Sequence, residues 1–216
     1  MSDSPRLSEL TIDALLDRLA SSDPVPGGGS AAALAAAMGA GLVAMVAELT
    51  IGRPDYAEHD AVITELREAA RARKDQLLAL AEEDAVAYDA VVTARRMPKE
   101  SEPERQARST ALHGAMVEAA RVPMRTAVVA AEVLELAERI APIGNRKAAS
   151  DAGVAAQLAA AGLRGALLNV RINLPYLAED EPLRLTAPAE IDRLDAFATV
   201  HERAALGAVD ERMAPP

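Results

Sequence analysis

Between Ala57 and Met97 the chain contains neither glycine nor proline, and Pro98 closes the run. Free of the two residues that break helices, this segment predicts one long α-helix. Its apolar positions recur at helical spacing through Val62, Leu66, Ala70, Leu77, Leu80, Ala87 and Val91. Asp84 falls on that same stripe, four residues after Leu80 and three before Ala87. A carboxylate in that place is costly to bury unless it is paired or hydrogen-bonded. It turns to solvent at the edge of the stripe, pairs with an arginine, or serves as an acid/base group tuned by partial burial.

Aromatic residues are only 2% of the chain, so alanine, leucine and valine must fill the core. Small side chains allow close helix approach, whereas sheets favour aromatic and β-branched residues. The expectation is an all-α fold. Leu7 to Ala20 reads as a short amphipathic helix, followed by the breaker cluster Ser21 to Gly29. Ser30 stands where an N-cap belongs, and the helix it opens runs to about Thr50, stopped by Gly52 and Pro54. After the charged turn "PKESEPE", a helix is expected from Pro103 to Ile140, bent at Pro123. Beyond the loop "APIGNRKAAS", Ser150 is read as the cap of the next helix, with Asp151 in its first turn. Thr186 and Pro188 open a last helix reaching about Arg212. No repeat or low-complexity linker divides residues 1–216, so a single helical domain is expected.

Several function classes lose ground at once. The chain has no cysteine, which removes disulfides and thiolate chemistry. A formal charge of −10 argues against nucleic acid. The alanine-rich run Ala31 to Ala47 reads as a buried core helix rather than a membrane span, and no secretory leader is read, which gives a cytoplasmic expectation. His59, His113 and His201 are scattered without H-E-x-x-H spacing, so no metal site is expected. There is no G-x-S-x-G motif either.

Two further places stand out. "PGGGS", residues 26–30, lacks the spacing and lysine of a P-loop and is no G-x-G-x-x-G fingerprint. It is either an ordinary loop or a backbone that approaches something closely and presents Gly27, Gly28, Gly29 and Ser30 at a helix start. Asn169 and Asn173, four apart, share a helix face that Gly162 and Gly165 continue. That face is either a polar seam between helices or a surface for a flat heterocycle with an amide-like edge.

Taken in order, "PGGGSAAALAAAMGAGLVAMVAELTIGRPDY", "EEDAVAYDAVVTARRMP", "ARVPMRTA" and "GNRKAASDAGVAAQLAAAGLRGALLNVRINL" resemble the cyclodeaminase/cyclohydrolase family of folate enzymes. The resemblance covers about residues 8 to 180; the tail after Leu183 carries little that matches. It implies long antiparallel helices, a homodimer, and a groove for a reduced folate near the dimer interface, with the folate as substrate and no cofactor besides. Arg53 and Pro54 stand where the family often carries two lysines, a departure at that contact. Chemistry of this kind works on the single carbon at N5 of tetrahydrofolate. It needs a carboxylate to move protons and polar groups to hold the pterin, but neither metal nor protein nucleophile. Asp84 fits the first task, with Asp151 as the competing carboxylate. Asn145, Asn169 and Asn173 suit the pterin edge, with Ser30 and Ser150 as neighbouring donors. Arg53, Lys99, Arg146 and Lys147 are the cations available to an anionic tail. Cyclisation of 5-formiminotetrahydrofolate with loss of ammonia is the first expectation. Hydrolysis of the 5,10-methenyl bridge is the alternative within the class, and a non-catalytic folate-binding or scaffold protein the alternative outside it.

Overall fold

The computed structural model describes residues 6–215, and among them there are six α-helices, four short 3-10 turns and no strand. The helices are α1 (Ile12–Leu19), α2 (Gly28–Glu48), α3 (Asp60–Arg96), α4 (Glu102–Ile140), α5 (Ala149–Asn173) and α6 (Pro182–Met213). The all-α expectation holds. The first amphipathic segment is split, because a 3-10 turn at Leu7–Glu9 precedes α1 and Thr11 caps α1 by accepting from the Ala14 N–H.

The long helix α3 is present almost as its sequence dictates, with one change of phase. Ile63 is fully buried and Val62 is 41% exposed, so Ile63 replaces Val62 on the stripe. The buried positions advance mostly in heptad steps, from Ile63, Leu66 and Ala70 to Ala87, Val91 and Ala94. A heptad repeat slips by ~20° per step around a 3.6-residue helix, so the buried stripe drifts from one end to the other and leaves Val62 outside.

Helix α4 starts with a capping box, Ser101 and Glu104 each bonding the other's backbone, and continues through Pro123 without interruption. Helix α6 begins at Pro182, before the expected Thr186. Pro182 takes the first helical turn, where its missing N–H costs nothing, and the Thr186 hydroxyl bonds the Pro182 carbonyl at 2.9 Å.

At the centre lies α2, packed on α5, α3 and α4, with α4 and α6 closing the far side of α5. Helices α2 and α5 are antiparallel and nearly touch. A Cβ on Gly162 would lie 2.6 Å from Ala32 O, and one on Gly39 would lie 2.8 Å from Ala155 O. This explains Gly162 and Gly165 inside α5: they admit α2, at ~1 kcal/mol of helix propensity each. One core of alanine, leucine and valine joins α2 to α6. By length and composition, Gly28–Glu48 and Arg146–Tyr176 would be apolar enough to cross a membrane, but 56% of each such window is buried within the bundle. Burial against protein is what a core helix of this kind requires.

Candidate active site

The N-terminus of α2, the middle of α3 and the C-terminal end of α5 converge on a cavity of about 300 Å³. Gly27, Gly28, Gly29, Asp84, Asn169 and Asn173 all line it. Segments that lie far apart in the chain thus form one site, with Met116 and Ala119 of α4 in its lining as well.

Asp84 projects from α3 onto the first turn of α2. The helix starts at Gly28 with Gly27 as N-cap, so Ser30 is not the cap that its sequence position suggests. It sits inside the first turn, fully buried, with its hydroxyl 2.9 Å from Asp84 Oδ2 and 3.0 Å from Ala81 O. The single proton is shared between these two acceptors. Glycine is essential beside it: a Cβ on Gly29 would fall onto Asp84 Oδ1 and within 2.6 Å of its Cγ. The carboxylate therefore rests on the bare backbone of a helix N-terminus, where free N–H groups and the helix dipole favour negative charge. Burial outweighs that help and pushes the Asp84 pKa above the usual aspartate range, while the Ser30 hydroxyl and backbone N–H pull in the opposite direction. No arginine or lysine pairs with Asp84 among the described residues, which leaves a half-buried carboxyl free for chemistry.

The asparagines face it from α5. Asn169 donates to Gly165 O (2.9 Å), and Asn173 donates to Ala119 O (2.8 Å) and Asn169 O (2.9 Å). With both NH₂ groups engaged by backbone, their Oδ1 atoms remain as acceptors for a ligand that carries N–H donors. Asn169 lies beside Gly28, where an added Cβ would make only ordinary contact at 3.5 Å. Gly28 is therefore tolerant, and Gly29 is the sterically required member of the triplet. Tyr88, Tyr176, Met116, Ile172 and Val91 form the apolar walls, and Arg95 is the cation in the lining. Sequence reading missed Arg95 and the tyrosines. The available signal was scarcity, since the chain has three Tyr in all and two stand here.

The remaining expected site residues lie elsewhere. Arg53, Asn145, Arg146, Lys147 and Ser150 line a second cavity of about 630 Å³, together with Asp55, Tyr56, Arg212 and Met213. It lies at the opposite end of the α2/α5 pair, beyond Glu48 and before Ala149. Ser150 is exposed in the first turn of α5, and Ala148, not Ser150, is the N-cap residue. Asn145 is a fastener here: it is 5% exposed, it donates to Leu49 O (2.9 Å), and it accepts from the Lys147 N–H (3.0 Å). Arg146 is spent on the carbonyls of Arg212 and Ala214. Arg53 and Lys147 are exposed with no side-chain partner among the described residues. Asp151 lines neither cavity, and Lys99 lies in an exposed loop away from both. Within one chain, then, Asp84 and Asp151 share no pocket. Among the described residues no group of three or more His, Asp or Glu side chains is placed to hold a metal.

An all-helical bundle that holds a protonatable carboxyl opposite two amide acceptors, in a cavity walled by tyrosines, belongs to the class of small-molecule sites. The chain matches the family described as formiminotransferase-cyclodeaminase over residues 11–192, and it belongs to that family. It is 40% identical over 203 residues to methenyltetrahydrofolate cyclohydrolase of Methylorubrum extorquens, covering 94% of this chain and 93% of that one. It is 33% identical over 174 residues to formimidoyltransferase-cyclodeaminase of Rattus norvegicus, covering 81% of this chain but 32% of that protein. Its fold superposes on formiminotetrahydrofolate cyclodeaminase from Thermotoga maritima with a TM-score of 0.84 at 28% identity, covering 95% of this chain and 98% of the other.

Proposed function

We propose that the protein is a folate enzyme acting on the single carbon shared by N5 and N10 of tetrahydrofolate, with hydrolysis of the 5,10-methenyl bridge to the 10-formyl product as the leading reaction. One observation carries the folate-enzyme reading: Asp84 is held unpaired by Ser30 and Gly29 in a cavity faced by amide acceptors. The end-to-end likeness to a methenyltetrahydrofolate cyclohydrolase supports the choice of hydrolysis.

The substrate carbon is an amidinium cation, which a carboxylate stabilises directly. Water adds to it, and Asp84 takes the proton that water gives up. The tetrahedral carbon then expels N5, which takes the proton held by Asp84, while the hydroxyl proton is released to solvent as the formyl carbonyl forms. A group whose pKa lies above the ordinary aspartate range performs both transfers better than a strongly acidic one. Asn169 and Asn173 accept from the N–H groups of the pterin edge, and the tyrosines wall its faces. No cofactor enters this scheme. The same residues serve the reverse logic, in which N10 attacks a formimino carbon and Asp84 protonates departing ammonia; the match to the Thermotoga maritima cyclodeaminase favours keeping that second reading. A homodimer is part of the same proposal.

The purified protein supplied separately with 5,10-methenyl- and 5-formiminotetrahydrofolate, with the methenyl chromophore followed over time, tests the reading. Loss of the chromophore identifies the hydrolase and its appearance the deaminase. Turnover of neither substrate would sink the enzyme and leave a folate-binding or scaffold protein.

A further inference from the structure

Among the described residues, only two charged side chains line the cavity of about 300 Å³, Asp84 and Arg95. Both belong to α3. Eleven residues separate them, which is three helical turns, so they share one face at a spacing of ~16 Å. Tyr88 and Val91 occupy the turns between them and line the cavity as well. Helix α5 repeats this order on the other side. Glu48 pairs with Arg67 and Arg71 while Ser30 bonds Asp84, so α3 runs antiparallel to α2 and in the same direction as α5. Asn169 meets Gly28 next to the Gly29 that carries Asp84, and Tyr176 follows seven residues later, as Val91 follows Asp84. Met116 of α4 joins Val91 in one buried cluster at that level. The cavity is therefore graded, with an acid and amides at one end, an apolar and aromatic middle, and a cation at the other end.

A cation in the last turn of a helix commonly serves the terminal carbonyls and the helix dipole. Here that task falls to Arg108, whose Nε and Nη2 donate to the Arg95 carbonyl, each at 3.4 Å. The Arg95 guanidinium is exposed where it lines the cavity, and it has no carboxylate or carbonyl partner among the described residues. The basic cavity at the far end of α2 cannot reach the same ligand within one chain, because the 21 residues of α2 set the two ends ~30 Å apart.

We infer that Arg95 determines specificity for the anionic end of the substrate, receiving the carboxylates of the glutamyl tail while the pterin lies against Asp84. A cationic head, a flat apolar link and an anionic tail match the grade of the cavity group for group. The aminobenzoyl ring occupies the apolar middle, and the planar fork of a guanidinium suits a carboxylate. One chain then holds the tail through Arg95, rather than through Arg53, Lys99, Arg146 or Lys147, the cations that the sequence offers first. This deepens the folate reading above and rests on it.

The test compares 5,10-methenyltetrahydrofolate with 5,10-methenyltetrahydropteroate, the same molecule without its glutamate. The wild type is expected to show a KM at least tenfold lower for the folate. Arg95→Ala should raise KM for the folate at least tenfold, with kcat within twofold, and should not raise KM for the pteroate, so the preference vanishes. Arg95→Lys, which keeps the charge, should restore part of it. A merely structural role would penalise both substrates alike. That result overturns the inference, as does a preference that survives in Arg95→Ala, or one that only Arg53→Ala/Lys147→Ala abolishes. Equilibrium dialysis with tetrahydrofolate and tetrahydropteroate separates this assignment from the functional reading. Protein that turns over neither methenyl nor formimino substrate, yet binds tetrahydrofolate more tightly in an Arg95-dependent way, sinks the enzyme and keeps the assignment. Turnover with equal binding of the two ligands by wild type keeps the enzyme and overturns the assignment.

Discussion

The two ends of the α2/α5 pair are built by opposite means. At the Asp84 end every position is set by close contact: Gly29 admits the carboxylate, Ser30 holds it, and Asn169 and Asn173 are locked to backbone carbonyls. At the far end the fold is fastened by Asn145 and Arg146, while Arg53 and Lys147 extend freely into solvent. Preorganised groups are what a reaction centre needs, because a misplacement of ~1 Å can cost ~10²-fold in rate. The difference is one of mobility: the Asp84 end holds its polar groups in fixed places, and the far end leaves two cations unengaged.

The largest break in that comparison is expected from Asp84→Asn, which should fold and lose ~10²–10⁴-fold in kcat on whichever folate is turned over, the scale of acid–base assistance. Retained turnover would remove Asp84 from the mechanism. Gly29→Ala comes next: its Cβ displaces the carboxylate, and a loss of ~10-fold or more in kcat is expected. Gly28→Ala, which meets only ordinary contacts, should keep most of its rate. Thermal melts sharpen the contrast at the seam. Gly162→Val should destabilise by at least ~1–3 kcal/mol through forced separation of α2 and α5. By contrast, Gly114→Ala, in open space on α4, should stabilise by ~0.5–1 kcal/mol. Arg53→Ala/Lys147→Ala should leave stability within ~0.5 kcal/mol, as expected for exposed residues.

The smallest effect is in pH dependence. Asp84 must be ionised to accept a proton, so kcat/KM of the hydrolysis should fall with acid through a midpoint above the ordinary aspartate value of 3.8. The stability sign follows from the same shift. A carboxyl whose pKa is raised by folding binds more protons folded than unfolded, so its contribution is most favourable below the unfolded pKa and is lost as pH rises through the folded one. Asp84→Asn should therefore melt above the wild type near neutral pH, with the gap closing as pH approaches 4. A gap that widens in acid would show that burial is not what sets this group.

Much of this protein could be read from its residues alone. The span of α3, the breaker loops and the all-α class follow from local rules of helix continuation and interruption. Asp84 was visible because a charge on an apolar stripe violates the pattern, and Asn169 with Asn173 because four residues make one helical turn. The family blocks were legible for the same reason that the site is local in each helix: each block is one face of one element.

What only tertiary structure decided is which of those faces meet. Sequence reading placed Arg53, Asn145 and Ser150 beside the glycines, and the antiparallel packing of α2 and α5 set them a helix length apart. The same packing turned Ser30 from a cap into the buried partner of Asp84 and made Gly29, rather than Gly28, indispensable. Spacing along a chain specifies which side chains share a face, because helix geometry is local. Their neighbours across space depend on how long helices lie against one another, and that is settled by close contacts such as Gly162 on Ala32, which no single segment contains.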